Sequence, residues 1–311
     1  MISIILCTYN RADALIRCLG SLESVTVPAG LDWEVVVVDN NSKDRTREIV
    51  TECQQRNTIR AVYVFEGQQG KSYALNRGLE CANGDIVAFI DDDCVVDKNW
   101  LNCLNEEFRF DCDLSGLGGR VELYNPRDRA VSIRTSKQRA FLELPSLFNL
   151  IPGCNMAFRR AVIETVGEFD TGFGPGTKMV VEDADFIYRV FKRGYKIAYS
   201  PDILLYHNHG RRTDEQVKAL NRSYVMGRGG FYCKHILLRD RDILKMAYWE
   251  TRSIFKGIFK QLITGQSPAE DFGCLLNLTN GALRELLNKF GSGRLTLRHF
   301  SGDSRQNQLP Q

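Results

Sequence analysis

The chain opens with a repeating pattern in which a short apolar run rich in β-branched residues gives way to a polar loop and then to apolar residues at helical spacing. Residues 2–7 (ISIILC) lead through Thr8-Tyr9-Asn10-Arg11 to Leu15, Ile16, Leu19 and Leu22. Residues 33–39 (WEVVVVD) lead through NNSKD to a helix opening near Asp44, with Ile49, Val50 and Cys53 as its stripe. Residues 61–65 lead through EGQQG to Tyr73, Ala74 and Leu75, and a fourth run, IVAFI at 86–90, ends in Asp91, Asp92 and Asp93. Strands alternating with helices at this spacing predict an α/β fold, a mostly parallel Rossmann-like sheet with helices on both faces. The loops TYNR, DNNSKD, EGQQGKS and DDDCVVD then share one sheet edge, the edge at which such folds bind ligands.

Three adjacent carboxylates repel one another unless a cation or basic groups neutralise them, and hard oxygen donors suit Mg²⁺ or Mn²⁺. Taken alone, the triplet also reads as a solvated acidic turn. The remaining loops supply amides and backbone N–H groups suited to a nucleotide and its metal. Two nucleotide motifs fail. A P-loop ending at Gly70-Lys71-Ser72 needs glycine at 65, where Phe65 stands, and Gly116-Leu117-Gly118-Gly119 lacks the last glycine of a dinucleotide fingerprint because residue 121 is Val. With 41 basic against 38 acidic residues, a net charge of +3 argues against nucleic acid as a partner. The ten cysteines show no zinc-like spacing and point to the reducing cytoplasm. The apolar N-terminus is short and reads as a first strand, not as a leader.

After about residue 120 the rhythm changes. Residues 121–139 are polar and contain proline, which predicts an excursion or mobile loop. Gly153 permits close backbone approach and Asn155 offers both donor and acceptor. A glycine-rich run at 172–176 leads to Glu182-Asp183, which opens a helix with Phe186, Ile187, Val190 and Phe191 as its apolar positions. Acids at a helix start are stabilised by its dipole, so stability alone can account for them. Residues 195–200 and 203–206 read as two strands. The second delivers His207-Asn208-His209, alternating histidines that are metal-ligand candidates or half-buried imidazoles, followed by Arg211 and Arg212.

The motifs TYNR, VVVVDNNSKDRT, GKSYALNRG, IDDD, GCNMAFRR, GEFDTGFGPG with EDADFIYRVFKRGYKI, and HNHGRR stand in the order found in family 2 glycosyltransferases of the GT-A fold, and the chain resembles that family over roughly residues 1–212. The resemblance implies an inverting transferase that uses a nucleoside-diphosphate sugar, usually UDP-linked, with Mn²⁺ or Mg²⁺. Asp39 resembles the acid that hydrogen-bonds the base. Thr8, Tyr9, Asn10, Arg11 and Lys71 resemble segments enclosing base and phosphates, and Asn41, Asp92, Glu182 and Arg211 fall among the same donor-binding motifs. Asp91 looks like the residue near the ribose and donor sugar, Asp93 like the metal ligand, and Asp183 like the catalytic base. His209, ahead of His207, resembles the histidine that completes the metal site or holds the diphosphate. Gly153 to Asn155 would line the sugar pocket. Arg159, Arg160, Arg211 and Arg212 suggest basic partners for a uronic-acid donor.

These features divide the chain into a nucleotide-sugar half (1–120), an acceptor and catalytic half (121–212), a helical extension (213–292) and a flexible tail (293–311). Helices are expected at 214–232, 240–263 and 268–290. The second carries Leu244, Tyr248, Thr251, Phe255, Ile258 and Leu262 at 4-3-4-3-4 spacing, with Lys245, Arg252, Lys256 and Lys260 on a neighbouring arc. Such a helix suits an anionic membrane surface, placing the protein peripherally on the inner face of the cell membrane with a saccharide or lipid-linked acceptor. The alternative is a packed helix with a solvated basic face. A nucleotidyltransferase acting on sugar phosphates would be expected to carry a Gly-rich basic first loop, where this chain has TYNR. A non-catalytic nucleotide-sugar-binding protein would need neither Asp183 after a glycine-rich run nor both DDD and HNH.

Overall fold

Consecutive residues of the early strands are apolar because the sheet is covered on both sides. In the computed structural model, which describes residues 1–291, β1 (Ile2–Thr8), β2 (Trp33–Asp39), β3 (Ala61–Phe65) and β4 (Ile86–Asp91) run parallel in the order β3-β2-β1-β4. Helices α1 (Ala12–Glu23), α2 (Thr46–Arg56) and α3 (Lys71–Cys81) connect them. Ile4, Leu6, Val35, Val37, Ala88 and Ile90 share one core with α1 and α2, while Ile5, Val36, Val38, Val87 and Phe89 share the other with α3. That two-residue alternation decides where each acid of the triplet goes.

The chain then adds β5 (Cys94–Val96), α4 (Trp100–Phe110), β6 (Leu114–Leu123), β7 (Ala140–Phe141), β8 (Asn155–Arg159), α5 (Arg160–Val166), α6 (Glu182–Lys192) and β9 (Lys196–His207). The sheet continues β4-β8-β6-β9-β5, with β7 also on β9; β8 is antiparallel to β4 and β6, and β5 and β7 are antiparallel to β9. The failed Gly116–Gly119 motif is part of a ten-residue strand. Its glycines serve packing: a Cβ at Gly119 would lie 2.3 Å from both the Asn155 amide and the Ile203 carbonyl. Residues 196–207 form one strand where two were expected, because a register shift against β6 absorbs the Ser200-Pro201 interruption. Residues 94–96, expected in a loop, form a short strand on the end of β9.

Beyond the sheet lie α7 (Asp214–Leu237), α8 (Arg241–Ile263) and α9 (Ala269–Gly291). The first outruns its expected end at Tyr232 by joining the main core: Phe231 is fully buried in the same cluster as Phe158 and Phe186. The tail expected at 293–311 lies outside the described residues. No helix among the described residues is long and apolar enough to cross a membrane.

Candidate active site

Asp91 has the parity of Phe89 and so turns toward α3 and α6. There Lys71 Nζ sits 2.6 Å from Asp91 Oδ1 and 3.6 Å from Glu182 Oε1. The glycine-rich run brings these helices together, for the Lys71 N–H donates to the Pro175 carbonyl (2.8 Å) and Gly176, at φ +100°, lies so close that a Cβ would meet the Gly70 Cα at 2.8 Å. Lys71, Asp91, Gly153, Met156, Glu182 and Asp183 line one narrow crevice. Gly153 packs directly on the acid after Glu182: a Cβ there would fall 2.1 Å from Asp183 Oδ2. Burial raises the pKa of Asp183, which makes its carboxylate a stronger base, and burial pushes Glu182 up to about 7 against the opposing pull of Lys71.

That shift has a measurable consequence for stability. Glu182 holds its proton more tightly folded than unfolded, so its contribution is fully present below its ordinary value and is lost as pH rises through about 7. Glu182→Gln is expected to raise Tm more at pH 8 than at pH 5. An equal gain at both would remove the buried charge as its cause.

Asp92 has the parity of Ile90 and lies on the α1 side. Its Oδ2 accepts from Thr8 Oγ1 (2.8 Å) and its Oδ1 from Arg11 Nη1 (3.1 Å), which also donates to Asp93 Oδ2 (2.8 Å). Burial raises Asp92 to about 6 despite Arg11. Burial also opposes the charge of Asp93, yet His207 and Arg11 hold its pKa well below the usual carboxylate range. The second strand ends in Asp39, which accepts from the Ser42 N–H (2.8 Å) and from Tyr63 Oη (2.9 Å). Asn10 Oδ1 accepts from the Lys43 N–H (2.7 Å), Asn41 Oδ1 accepts from Lys43 Nζ (2.9 Å), and Tyr9 stands half-exposed at the loop tip.

The histidines separate. His207 Nε2 lies 3.2 Å from Asp93 Oδ1, an oxygen with no hydrogen bond, whereas His209 packs edge-on against the His207 ring and accepts the Arg211 N–H at Nδ1 (3.0 Å). His207, second to His209 in the sequence reading, is therefore the imidazole in contact with Asp93. Burial disfavours its charge, but the Cys154 sulfur and Asp93 outweigh this and push it up to about 9. The residues present fit a divalent cation: Asp93 Oδ1 is buried without a hydrogen bond and faces His207 Nε2, and Asp93, Cys94 and His207 offer ligand atoms within 4.8 Å of one another; His209 Nε2 is buried without a hydrogen bond but stands outside that group. Burial holds the Cys94 thiol far above its ordinary value, so it stays protonated and leaves oxygen and imidazole nitrogen as the donors.

Three expectations are corrected. Asn155 does not line the crevice: its parity on β8 turns it to the α4 face, where it accepts from Trp100 Nε1 (2.9 Å) and donates to the Arg120 (3.0 Å) and Ile203 (2.9 Å) carbonyls. Arg159 and Arg160 lie at the opposite sheet edge, where β8 ends beside the start of β4, and bind backbone carbonyls there. Arg212 is tied to buried Asp128 (3.1 Å), while Arg211 makes no side-chain ion pair among the described residues. The basic cluster for a uronic acid therefore dissolves.

Two residues escaped the sequence reading. Asp128, from the polar excursion, accepts the Gly210 N–H (2.9 Å) and so pins that excursion to the segment after β9. Tyr224 of α7 shares a hydrogen bond with Ser132 (2.9 Å), and its pKa is raised by burial and by the Asp183 charge. Neither carries a local signal, since each acquires its neighbours only from distant segments.

The sequence profile described as Glycosyl transferase family 2 matches residues 3–167, and that of Glycosyl transferase family group 2 matches residues 86–264. The chain is 30% identical over 213 residues to glycosyltransferase AglE of Haloferax volcanii, covering 66% of each protein. It is 26% identical over 207 residues to a poly-beta-1,6-N-acetyl-D-glucosamine synthase of Staphylococcus aureus, covering 64% of this chain and 48% of that one. The match thus spans about two thirds of one relative and half of the other. Among solved structures, the mannosyltransferase PcManGT of Pyrobaculum calidifontis, in complex with GDP-Man and Mn²⁺, superposes with a TM-score of 0.63 at 21% identity, covering 93% of this chain and 87% of that one. TarS 1-349 of S. aureus, in complex with UDP-GlcNAc, gives 0.58 at 16% identity, covering 93% and 92%. With more than half its length matched by the family profile and its sheet laid out as in these GT-A structures, the chain belongs to glycosyl transferase family 2.

Proposed function

We propose that this chain moves a sugar from a nucleoside-diphosphate sugar, a UDP-sugar first among them, to a hydroxyl of a saccharide or lipid-linked saccharide, with inversion, in the assembly of bacterial surface polysaccharide. The observation that carries this reading is the meeting of two acid groups around Lys71, Asp91 from the donor-side strand end and Glu182-Asp183 from the start of α6. The sugar nucleotides bound by the fold relatives and the polysaccharide synthase among the curated ones support it.

Cleaving a glycosyl phosphate passes through an oxocarbenium-like state while charge builds on the departing diphosphate. Asp183 takes the proton of the attacking hydroxyl, a step typically contributing about 10²- to 10⁴-fold. Attack from the side opposite the leaving group inverts the anomeric carbon. Lys71 keeps Asp91 and Glu182 side by side despite their like charge. Arg211, whose guanidinium makes no ion pair among the described residues, offers it to the diphosphate. Asp93 with His207 would hold Mn²⁺ or Mg²⁺, which when bound supplies Lewis-acid stabilisation of the diphosphate.

The reading is tested by nucleoside-diphosphate release from a panel of UDP- and GDP-sugars with Mn²⁺, with and without saccharide acceptors. Release from none of them would overturn it in favour of a binding protein, and pyrophosphate release in favour of a nucleotidyltransferase. Asp93→Ala is expected to weaken Mn²⁺-dependent nucleotide binding by about 10-fold or more, read by calorimetry. Affinity indifferent to both metal and mutation would return the triplet to a solvated acidic turn.

A further inference from the structure

On α8 the expected stripe divides. Ile243, Ile254 and Ile258 pack inward, whereas Leu244, Tyr248, Phe255, Phe259 and Leu262 are each more than half exposed along a 4-7-4-3 stripe. The neighbouring α9 repeats the pattern: Phe272, Leu276, Leu283, Leu287 and Phe290, again at 4-7-4-3, are half exposed or more. Two adjacent helices with continuous apolar stripes expose far more than the scattered surface hydrophobes of an ordinary monomer.

Charge selects what covers this surface. Lys245, Arg252, Lys256 and Lys260 flank the α8 stripe, and none makes an ion pair among the described residues. The acids of the same helix are already paired, Asp242 with Lys192 (2.7 Å) and Glu250 with Arg228 (2.9 Å). Phe255, Phe259 and Ile263 with Arg252, Lys256 and Lys260 line an open depression, and Arg252 stacks over the exposed Trp249 ring at 5.3 Å. With Lys234 set aside, since it is buried against Asp185, residues 239–264 carry six basic against three acidic residues, a net +3 that equals the charge of the whole chain. A second copy would bring the same uncompensated positive arc against itself, whereas an anionic bilayer receives apolar stripe, aromatic rim and snorkelling basic stems together.

We propose that the exposed faces of α8 and α9 form one membrane-contacting surface, with Phe255, Phe259 and Leu262 entering the acyl boundary and the four basic side chains meeting anionic headgroups. It deepens the transferase reading by holding the site beside a lipid-linked acceptor.

The test sediments the full chain with vesicles of phosphatidylcholine alone and with about 30% phosphatidylglycerol added. Each cation near an anionic surface multiplies partitioning by about fivefold, so reversing Arg252, Lys256 and Lys260 to Glu together should cut binding to the anionic vesicles on the order of 100-fold or more. Phe255→Ser with Phe259→Ser should cut it with the charges intact. Circular dichroism confirms that both variants fold, and donor hydrolysis measured without vesicles should stay at the parent level. That assay separates this proposal from the transferase reading, since a chain without activity that still binds vesicles keeps the former alone. No binding to anionic vesicles, or binding indifferent to both variants, overturns the proposal. A concentration-dependent dimer abolished by the Phe pair, without vesicle binding, assigns the surface to a second copy and overturns it too.

Discussion

Asp183→Asn is expected to lower sugar transfer by about 10²- to 10⁴-fold while leaving nucleotide affinity within a few-fold of the parent. Asn fills the same volume, and its carbonyl oxygen can still accept the Ala184 N–H that Asp183 Oδ1 accepts at 2.7 Å, so the helix start and the contact with Gly153 are retained. What is lost is a carboxylate made more basic by burial. Asp91 and Asp93, the acids proposed to serve the donor and its cation, and the Lys71 bridge are untouched, which is why binding should survive. Measuring transfer and nucleotide affinity on the same preparation separates the outcomes. Unchanged turnover would remove Asp183 as the base, and parallel loss of turnover and affinity would make it a donor-binding residue. Glu182, fully buried beside Lys71, would then be the next carboxylate to examine.

Asp185→Ala should have the largest effect on stability, a loss of about 3–5 kcal/mol. Asp185 is fully buried two residues after Asp183 and carries Lys234 Nζ (2.8 Å), His235 Nε2 (2.9 Å) and Arg189 Nε (2.9 Å). Removing it strips His235 and Arg189 of the carboxylate they share and leaves buried Lys234 with the partly exposed Asp170 (2.7 Å) alone. Burial would raise its pKa, but Lys234, His235 and Arg189 hold it far below the ordinary range. Its stabilisation is therefore present above its unfolded pKa of about 4 and is lost only as pH falls below it. Chemical denaturation at pH 7 and at pH 3 reads both effects: the parent should lose stability on acidification, and Asp185→Ala should lose less. A variant as stable as the parent at pH 7 would mean that the cluster is a replaceable polar packing. The same substitution should lower turnover, because α6 is gripped from α7 at this point and, farther along, by Tyr188 on Asp240 (2.6 Å) and Lys192 on Asp242 (2.7 Å). The helical extension thus bears on the start of α6, where Asp183 sits.

What the sequence determined by itself is what depends on short-range pattern. Consecutive apolar runs such as VVVV at 35–38 make sense only in a sheet buried on both faces, and alternation with helical stripes makes that sheet parallel. Three carboxylates at one strand end and two at a helix start are legible because each group is local. The late strands were harder. Gly116–Gly119 has almost no side chain with which to show a strand period, and Ser200-Pro201 looks like a break that β9 carries as a register shift.

Tertiary structure decided which functional groups meet. Asp91 and Asp92 are neighbours in sequence yet answer to different partners, Lys71 and Arg11, because successive residues leaving a strand face opposite sides of the sheet. Parity likewise sent Asn155 to Trp100 and away from the crevice, and chain direction in β8 carried Arg159 and Arg160 to the edge opposite that crevice. His207 reaches Asp93 because β5 turns back to pair with β9, Cys94 opposite His207, a contact between segments more than a hundred residues apart. Asp128 and Tyr224 have no motif of their own, and Asp185 stands inside EDADFIYRVFKRGYKI with nothing there to name its partners. Their roles come from the polar and charged groups that only the folded chain brings near, and which partner a polar residue will meet is what no local pattern of residues can announce.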